Sequence, residues 1–180
     1  MKLKQNLTGK RVTVRNYEKS DLDFVAGMWL DEENGRYLSD PTPAYVDDRF
    51  QHALDTLQDS PDGCYLIIEE TGTGRPIGSC SVFFGETAAE FDIGYCIHKT
   101  QWRQGYGREA VALVLEWLRR QGAERVTAEA AAENTASNAL LRSLGFAAVS
   151  AGSFSKYRMG ITYDSIVYEL LLTNRPGTSS

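Results

Sequence analysis

One stretch, residues 88–122, constrains the fold more than any other part of the chain, because it predicts a strand, a glycine turn and a helix in direct succession. Apolar and polar residues alternate over 88–97, which is typical of a strand with one buried face. Residues 102–108 form a glycine-containing turn. From Arg108 onwards apolar residues recur at helical spacing until Gly122, which is placed to end the helix. The chain is therefore expected to carry a strand–turn–helix unit near its centre.

The chemistry of this turn follows from its backbone. A turn that leads into a helix directs several free N–H groups, and the positive end of the helix dipole, at one point. Gly105 and Gly107 leave that point open, because a side chain there would hold a ligand away from the amides. A phosphate or diphosphate suits such a site.

Other interpretations of the same turn compete. The spacing Gly105-x-Gly107-x-x-Ala110, with Glu129 further on, fits the dinucleotide-binding fingerprint. That fingerprint places its first glycine directly after a strand, whereas here the polar and aromatic segment 98–104 intervenes. The ATP-binding P-loop is excluded because no Gly-Lys-Ser/Thr follows. A structural turn without a ligand stays open from these residues alone.

The rest of the chain predicts a mixed α/β domain. Further strands are predicted at 11–16, 64–70, 76–84, 125–130, 146–151 and 162–172. The two strands before 88–97 should form an antiparallel run with it. The strand at 125–130 should pair with it in parallel, because a helix makes the crossover between them.

Three more helices are predicted from their caps. Ser20, with Asp23 at the capping-box position, is expected to begin the first helix. Thr42 and the following proline should begin a second that continues to Leu57. Asn134 should cap the last one, whose buried face is expected to contain Ala136, Leu140, Leu141 and Leu144.

The 180 residues predict one domain at 10–173, between a flexible N-terminus at 1–9 and a disordered tail at 174–180. The net charge of −5 argues against nucleic acid as a partner. No apolar run approaches the ~18 residues of a membrane span, and no secretory signal is visible, so a cytoplasmic location is expected. Three scattered cysteines are expected to be buried thiols, and together with two histidines they show no metal-ligand spacing.

Four segments in the right order resemble the GNAT acyl-CoA N-acyltransferases, in particular the ribosomal-protein N-terminal acetyltransferases of RimJ/RimL type. They are residues 11–15 with Asp21, residues 94–95 with 102–110, residues 134–146, and Gly160 with Asp164 and Tyr168. The resemblance covers about residues 10–172. It implies an α/β (α+β) fold, with a central, mixed, mostly antiparallel sheet flanked by helices and with splayed central strands.

The resemblance also implies acetyl-CoA as the acetyl donor and a primary amine, either a protein N-terminus or a small molecule, as the acceptor. The amine would attack the thioester directly. A homodimer stays open. The backbone amides of the turn would bind the CoA diphosphate, and the pantetheine arm would lie along the edge of the central strand. The implied donor-binding residues are Cys96, Ile97, Arg103, Gln104, Gly105, Tyr106, Gly107, Arg108 and Asn134. Arg103 and Arg108 are equally consistent with ordinary surface arginines.

A primary amine must lose a proton before it attacks. An α-amine titrates near ~7.7–8.0 and a lysine-type amine near ~10.4, so the latter needs the stronger proton acceptor. Asp92, on the polar face of the central strand, is the first candidate for the base, directly or through water. Glu90 and His98 are weaker candidates. Asp92 and Glu90 are alternatively solvated strand carboxylates without a catalytic role.

The family's usual acid, a tyrosine that protonates the departing thiolate, is replaced here by Leu141. Ser137 is the substitute that the branch suggests, although water also suffices for a good leaving group. Ser137 is otherwise a helix residue that supports the cap. Because the usual acid is missing, a non-catalytic acyl-CoA-binding module stays as the alternative function.

Overall fold

A single sheet of eight strands organises the fold in this computed structural model, in which residues 1–172 are described. The strands are β1 (Leu7–Thr8), β2 (Val12–Asn16), β3 (Gly63–Glu70), β4 (Arg75–Phe84), β5 (Glu90–Ile97), β6 (Arg125–Ala131), β7 (Ala147–Ser155) and β8 (Thr162–Leu171). Their spatial order is β1-β2-β3-β4-β5-β6-β8-β7. Every neighbouring pair is antiparallel except β5 and β6, which are parallel. The mixed, mostly antiparallel sheet predicted from the sequence is confirmed.

Four α-helices flank the sheet in the described part of the chain. They are α1 (Leu22–Trp29), α2 (Asp48–Asp55), α3 (Tyr106–Arg120) and α4 (Thr135–Ser143). Helix α3 connects β5 to β6, and a parallel pair of this kind needs such a crossover. The predicted strand–turn–helix–strand unit is therefore confirmed.

The parallel pair β5–β6 is short, and this opens the sheet. The strands are in register only at Glu90↔Arg125, Phe91↔Val126 and Asp92↔Thr127. Beyond that point β5 stays paired with β4 as far as Ile97, while β6 stays paired with β8 as far as Ala131. The space between residues 93–97 of β5 and 128–131 of β6 is called the gap below. It confirms the predicted splayed central strands.

Two apolar clusters lie on the two faces of the sheet. The larger one packs α3 against the centre of the sheet, because the helix turns its apolar stripe towards the apolar face of β5 and β6. Its fully buried members include Val111, Val114, Leu118 and Val126. The smaller cluster is formed by Tyr17, Val25, Leu54, Leu57 and Ile67, beneath α1 and α2.

The first two helices begin differently from the prediction. Ser20 does not cap α1. Glu18 caps a short 3₁₀ turn in a capping box with Asp21, whose carboxylate also binds Arg15. Thr42 caps another short 3₁₀ turn, at Pro43–Tyr45, and the backbone is then extended before Asp47 caps α2. The single helix predicted from Thr42 to Leu57 was therefore wrong, because Asp47 provides a second cap inside it.

Helix α4 begins at the predicted cap, Asn134, but its buried face differs. Ala136 is exposed, and Asn138 is buried in its place. Asn138 tolerates burial because its amide donates to the carbonyls of Ala131 and Ala132 and its oxygen accepts from the Tyr168 hydroxyl.

Residues 1–9, predicted as a flexible segment, are attached to the sheet at two points. Strand β1 pairs with β2, and the buried Leu3 exchanges hydrogen bonds with Asn16. All three cysteines are buried and free, as expected. The tail predicted at 174–180 lies outside the described residues.

Candidate active site

The glycine turn ends in the conformation that only glycine adopts without strain. Gly105 precedes α3 with φ 79°, in the left-handed region. The first backbone bond of the helix runs from the Glu109 N–H to the Gly105 carbonyl, at 3.2 Å. The N–H groups of Tyr106, Gly107 and Arg108 come before this bond, so they have no partner inside the helix. Several donors and the positive helix end therefore meet at one place.

Arg11, a residue that the sequence pattern did not single out for the site, holds this turn. Its guanidinium donates to the Gln104 carbonyl at 2.7 Å and to the Glu109 carboxylate at 3.0 Å. It also lies over the Tyr106 ring, 5.1 Å from the centroid. These contacts join the start of β2 to the start of α3 across 93 to 98 residues of sequence. A local sequence pattern contains no signal for such a pair.

The edge of β5 presents backbone groups to the gap. The His98 N–H donates to the Ile77 carbonyl on the β4 side at 2.8 Å. Because successive N–H groups of a strand point to opposite sides, the Ile97 N–H points away from β4, towards the gap. The Ile97 carbonyl is already bound by Trp102 Nε1, at 2.7 Å. Cys96 is buried on the opposite face of the strand and accepts from Asn34.

Two hydroxyl groups meet across the gap. Tyr95 on β5 and Ser137 on α4 have their oxygens 2.8 Å apart. Asn134 positions this end of α4, because its side chain accepts from the Ser137 N–H at 3.1 Å. Burial raises the pKa of Tyr95 to about 12, against the opposing effect of the Ser137 hydrogen bond. Leu141 is fully buried one turn later, so no acid stands at that position.

Asp92 lies at the closed end of the gap, where β5 and β6 are last in register. Its Oδ2 accepts from the Thr127 hydroxyl at 2.8 Å. The residue as a whole is exposed, but partial burial of its carboxyl raises its pKa. The Thr127 hydrogen bond opposes this shift, and the like charge of Glu129 adds to it. Asp92 is therefore a carboxylate with an increased affinity for a proton.

The remaining candidates are engaged elsewhere. Glu90 forms an ion pair with Arg125 at 2.8 Å. The His98 ring caps the short turn after β5 and binds the Thr100 hydroxyl. Arg108 donates to Ser143 on α4, and Arg103 adopts a positive φ of 60° within the turn. Neither Glu90 nor His98 is brought to the gap by these contacts.

A second cavity lies on the other face of β5 and encloses about 250 Å³. It is called the aromatic cleft here and is lined by Trp29, Asp40, Tyr65, Phe83, Gly94 and Cys96, among others. The sequence pattern gave no signal for Asp40. It lies in the non-periodic segment between α1 and α2, and only the tertiary structure carries that segment over β5.

Two observations concern other kinds of site. Within residues 1–172, no group of three His, Cys, Asp or Glu side chains is arranged to hold a metal ion. Over the same residues, no helix combines the length and the apolar character that crossing a membrane requires.

Comparison with known proteins identifies the family. A family model described as "Acetyltransferase (GNAT) domain" matches residues 11–147. The chain belongs to the GNAT acetyltransferase family. It is accordingly an acyltransferase enzyme. An uncharacterized N-acetyltransferase, p20 of Bacillus licheniformis, is 28% identical to this GNAT chain over 149 residues, which is 79% of the chain and 82% of the relative.

Solved structures agree with the fold of this GNAT enzyme. A GNAT-family acetyltransferase from Bacillus anthracis has a TM-score of 0.77 at 17% identity and covers 93% of this chain and 99% of its own. A ribosomal-protein-S5-alanine acetyltransferase from Vibrio fischeri has a TM-score of 0.70 at 18% identity, and the match covers 96% of this chain and 100% of that one. At these identities the likeness is one of fold.

Proposed function

We propose that this GNAT enzyme transfers an acetyl group from acetyl-CoA to a primary amine by direct attack, without an acyl-enzyme. The observation that carries the proposal is the gap between β5 and β6, which opens beside the free N–H groups at the start of α3. The helix start places backbone donors where a diphosphate fits, and the gap leaves an unpaired strand edge where an extended arm fits.

The donor-binding residues follow from this arrangement. The amides of residues 103–108 (Arg103, Gln104, Gly105, Tyr106, Gly107 and Arg108) would hold the diphosphate. The edge of β5 at Cys96 and Ile97, together with Asn134, would hold the pantetheine arm. At Gly107 a Cβ would lie 3.2 Å from the Leu140 side chain and 3.3 Å from the Ile97 side chain, so any larger residue would push these neighbours aside where α3 meets β5 and α4.

Acetyl-CoA supplies a thioester, whose carbonyl carbon accepts an amine. The Ile97 N–H would donate to the carbonyl oxygen, where negative charge develops. The Asp92 carboxylate would take a proton from the amine, directly or through one water molecule. Its raised pKa supports this role, because a stronger base takes the proton more readily. The Ser137 hydroxyl would give a proton to the departing sulfur, and its contact with Tyr95 orients it.

For the acceptor, we propose a protein N-terminus as one candidate class. The likeness to an enzyme named for the alanine of ribosomal protein S5 supports a protein N-terminus. An α-amine also needs the least help from the base. The three buried, free thiols support a reducing compartment such as the cytoplasm.

The proposal is tested by titrating the protein with acetyl-CoA in a calorimeter and by following thiol release against a panel of amines. We expect binding, and release of CoA thiol that depends on an amine. Asp92→Asn should lower kcat about 100-fold with acetyl-CoA affinity unchanged. Ser137→Ala should lower kcat less, because water replaces the hydroxyl. The exposed Asp62→Asn serves as the matched control. Folded protein that does not bind acetyl-CoA would refute the proposal.

One observation favours the alternative, a non-catalytic acyl-CoA-binding module. The family's usual acid is absent, and Leu141 is buried in the core at that position. Tight acetyl-CoA binding with no thiol release for any amine of the panel would support this alternative.

A further inference from the structure

The aromatic cleft has three aromatic walls. The rings of Trp29 and Tyr65 lie 5.7 Å apart, centroid to centroid, and those of Tyr65 and Phe83 lie 5.5 Å apart. Trp29 is fixed because its Nε1 donates to the Ser79 hydroxyl at 3.0 Å. Aromatic faces attract cations and pack against apolar groups.

A single carboxylate completes the cleft. Asp40 is the one acidic side chain among the described residues that line it. The charged and titratable groups that face it are Lys156 at the end of β7, Tyr65 on β3 and Cys96 on β5. Burial raises the pKa of Asp40 to about 6, although its own backbone N–H and the charge of Lys156 oppose the shift. Asp40 is therefore mostly ionised at neutral pH.

The segment that carries Asp40 is held firmly over the sheet. The buried Lys156 donates from Nζ to the carbonyls of Gly35 and Leu38, at 2.8 and 2.9 Å. The Tyr157 N–H donates to the Ser39 carbonyl at 2.7 Å. These bonds to the backbone just before Asp40 fix where its carboxylate enters the cleft.

The floor of the cleft is the same strand that borders the gap. Gly94 and Cys96 of β5 line the cleft, and the backbone of β5 forms one edge of the gap. A Cβ on Gly94 would lie 2.8 Å from the Ser81 hydroxyl, so glycine keeps the floor open. A group in the cleft and a group in the gap therefore approach each other across a strand that has no side chain at this point.

From this geometry we propose that the aromatic cleft binds the acceptor as a primary ammonium with a single charge, next to a compact apolar group. Asp40 pairs with the ammonium, and the rings of Trp29, Tyr65 and Phe83 surround the apolar group. This inference rests on the proposed function, because it names the acceptor that the acetyl group reaches.

The charges of the cleft exclude two other kinds of amine. A polyamine brings a second ammonium, for which the described lining residues offer no further carboxylate, and the nearby Lys156 repels it. A free amino acid brings a carboxylate, for which the described lining residues offer no cationic side chain. Lys156 does not provide one, because its Nζ is already bound to the Gly35 and Leu38 carbonyls, and the Asp40 carboxylate repels a second carboxylate. Either a small monoamine or a peptide with a small apolar first residue presents the required chemistry.

The test measures kcat and KM for phenethylamine, an alanine-led tetrapeptide, spermidine and free phenylalanine. Either phenethylamine or the tetrapeptide should have a kcat/KM at least 10-fold above those of spermidine and phenylalanine. The better of the two shows whether the acceptor is a small monoamine or a peptide. Asp40→Asn should raise the KM for that amine at least 10-fold, with kcat within threefold and acetyl-CoA affinity unchanged. Asp92→Asn should lower kcat instead. In the wild type the KM should rise as the pH falls through about 6, and this rise should be absent in Asp40→Asn.

A binding measurement separates this inference from the proposed function. Calorimetry with the preferred amine and the enzyme–CoA complex should show binding to the wild type and to Asp62→Asn, and a loss with Asp40→Asn. If Asp40→Asn does not fold, Phe83→Leu gives the second test, because it should weaken the apparent affinity for phenethylamine more than that for ethylamine. Preference for spermidine, or amine binding unaffected by both variants, overturns the inference while leaving acetyl transfer intact. Amine binding through Asp40 without thiol release would instead overturn the proposed function.

Discussion

The two sides of β5 are built from different kinds of interaction. The proposed donor side, meaning the gap and the turn before α3 and called the donor side from here on, presents backbone N–H groups above a continuous apolar core. The proposed acceptor side, meaning the aromatic cleft and the segments that cover it and called the acceptor side from here on, depends on side chains. These are the Arg15–Asp21 pair at the start of α1, the Lys156 contacts and the Asp40 carboxylate. The donor of the reaction is expected to be constant in a family, whereas the acceptor differs. A backbone site suits the first, and a side-chain site is readily changed by substitution.

The largest effect is expected at the Arg15–Asp21 pair, where β2 leads into α1. Arg15 binds both carboxylate oxygens of the buried Asp21 at 2.7 Å and also Glu69 at 2.6 Å. Arg15→Leu should lower the free energy of unfolding by about 3 kcal/mol, because it leaves the buried Asp21 carboxylate without its ion-pair partner. The acetyl-CoA affinity of the folded fraction should stay the same. Denaturant unfolding and calorimetry measure the two quantities.

The control and the pH dependence sharpen this prediction. The Arg75–Glu70 pair is exposed, so Arg75→Leu should cost about 0.5 kcal/mol or less. Burial raises the pKa of Asp21, but the Arg15 hydrogen bonds, the Glu18 N–H and the charge of Arg15 together outweigh this effect and hold the pKa below its usual value of 3.8. A lowered pKa means that this stability is present above 3.8 and is lost as the pH falls through the folded value. The difference between wild type and Arg15→Leu should therefore shrink in acid, and a constant difference would contradict the assignment.

The contrast between the two sides also explains what the sequence could predict. Strand β5, the glycine turn and α3 are contiguous, and their periodicity is local, so these elements could be predicted from the pattern. Asp40 and Lys156 meet the cleft only through packing between segments more than a hundred residues apart, such as Gly35 and Lys156. Arg11 was missed for the same reason. The first helix start was misplaced because Glu18 and Asp21 form the capping box in place of Ser20. The second was misplaced because Asp47, which also binds the distant Tyr157 and Arg158, caps α2.

An intermediate effect is expected at the glycine turn. Gly105 and Gly122 both have a positive φ, 79° and 88°, at opposite ends of α3. Alanine at either position should cost about 1–2 kcal/mol of stability, because an L-residue is strained there. Only Gly105→Ala should also weaken acetyl-CoA binding, by about 30-fold, or ~2 kcal/mol. Calorimetry on both variants separates the loss of acetyl-CoA affinity from the loss of stability that the two variants share. If the two variants bound acetyl-CoA with equal affinity, the backbone N–H groups of the turn would not be part of the donor site.

The smallest effect tests whether side chains also matter on the donor side. The Tyr168 hydroxyl donates to Asn138 at 2.9 Å, and Asn138 in turn binds the end of β6, so this buried chain positions α4 beside the gap. Tyr168→Phe should cost about 1 kcal/mol, because a buried acceptor loses its donor. The exposed Tyr45→Phe is the control.

If backbone groups and the apolar core alone set the donor side, the acetyl-CoA affinity and kcat of Tyr168→Phe should stay within about twofold of wild type. A change of about fivefold in either would mean that the polar chain from Tyr168 through Asn138 positions Ser137, which precedes Asn138 on α4. The donor side would then depend on distant side chains as the acceptor side does. In that case only the turn before α3 would be a site formed by backbone groups, whereas the gap would depend on side chains.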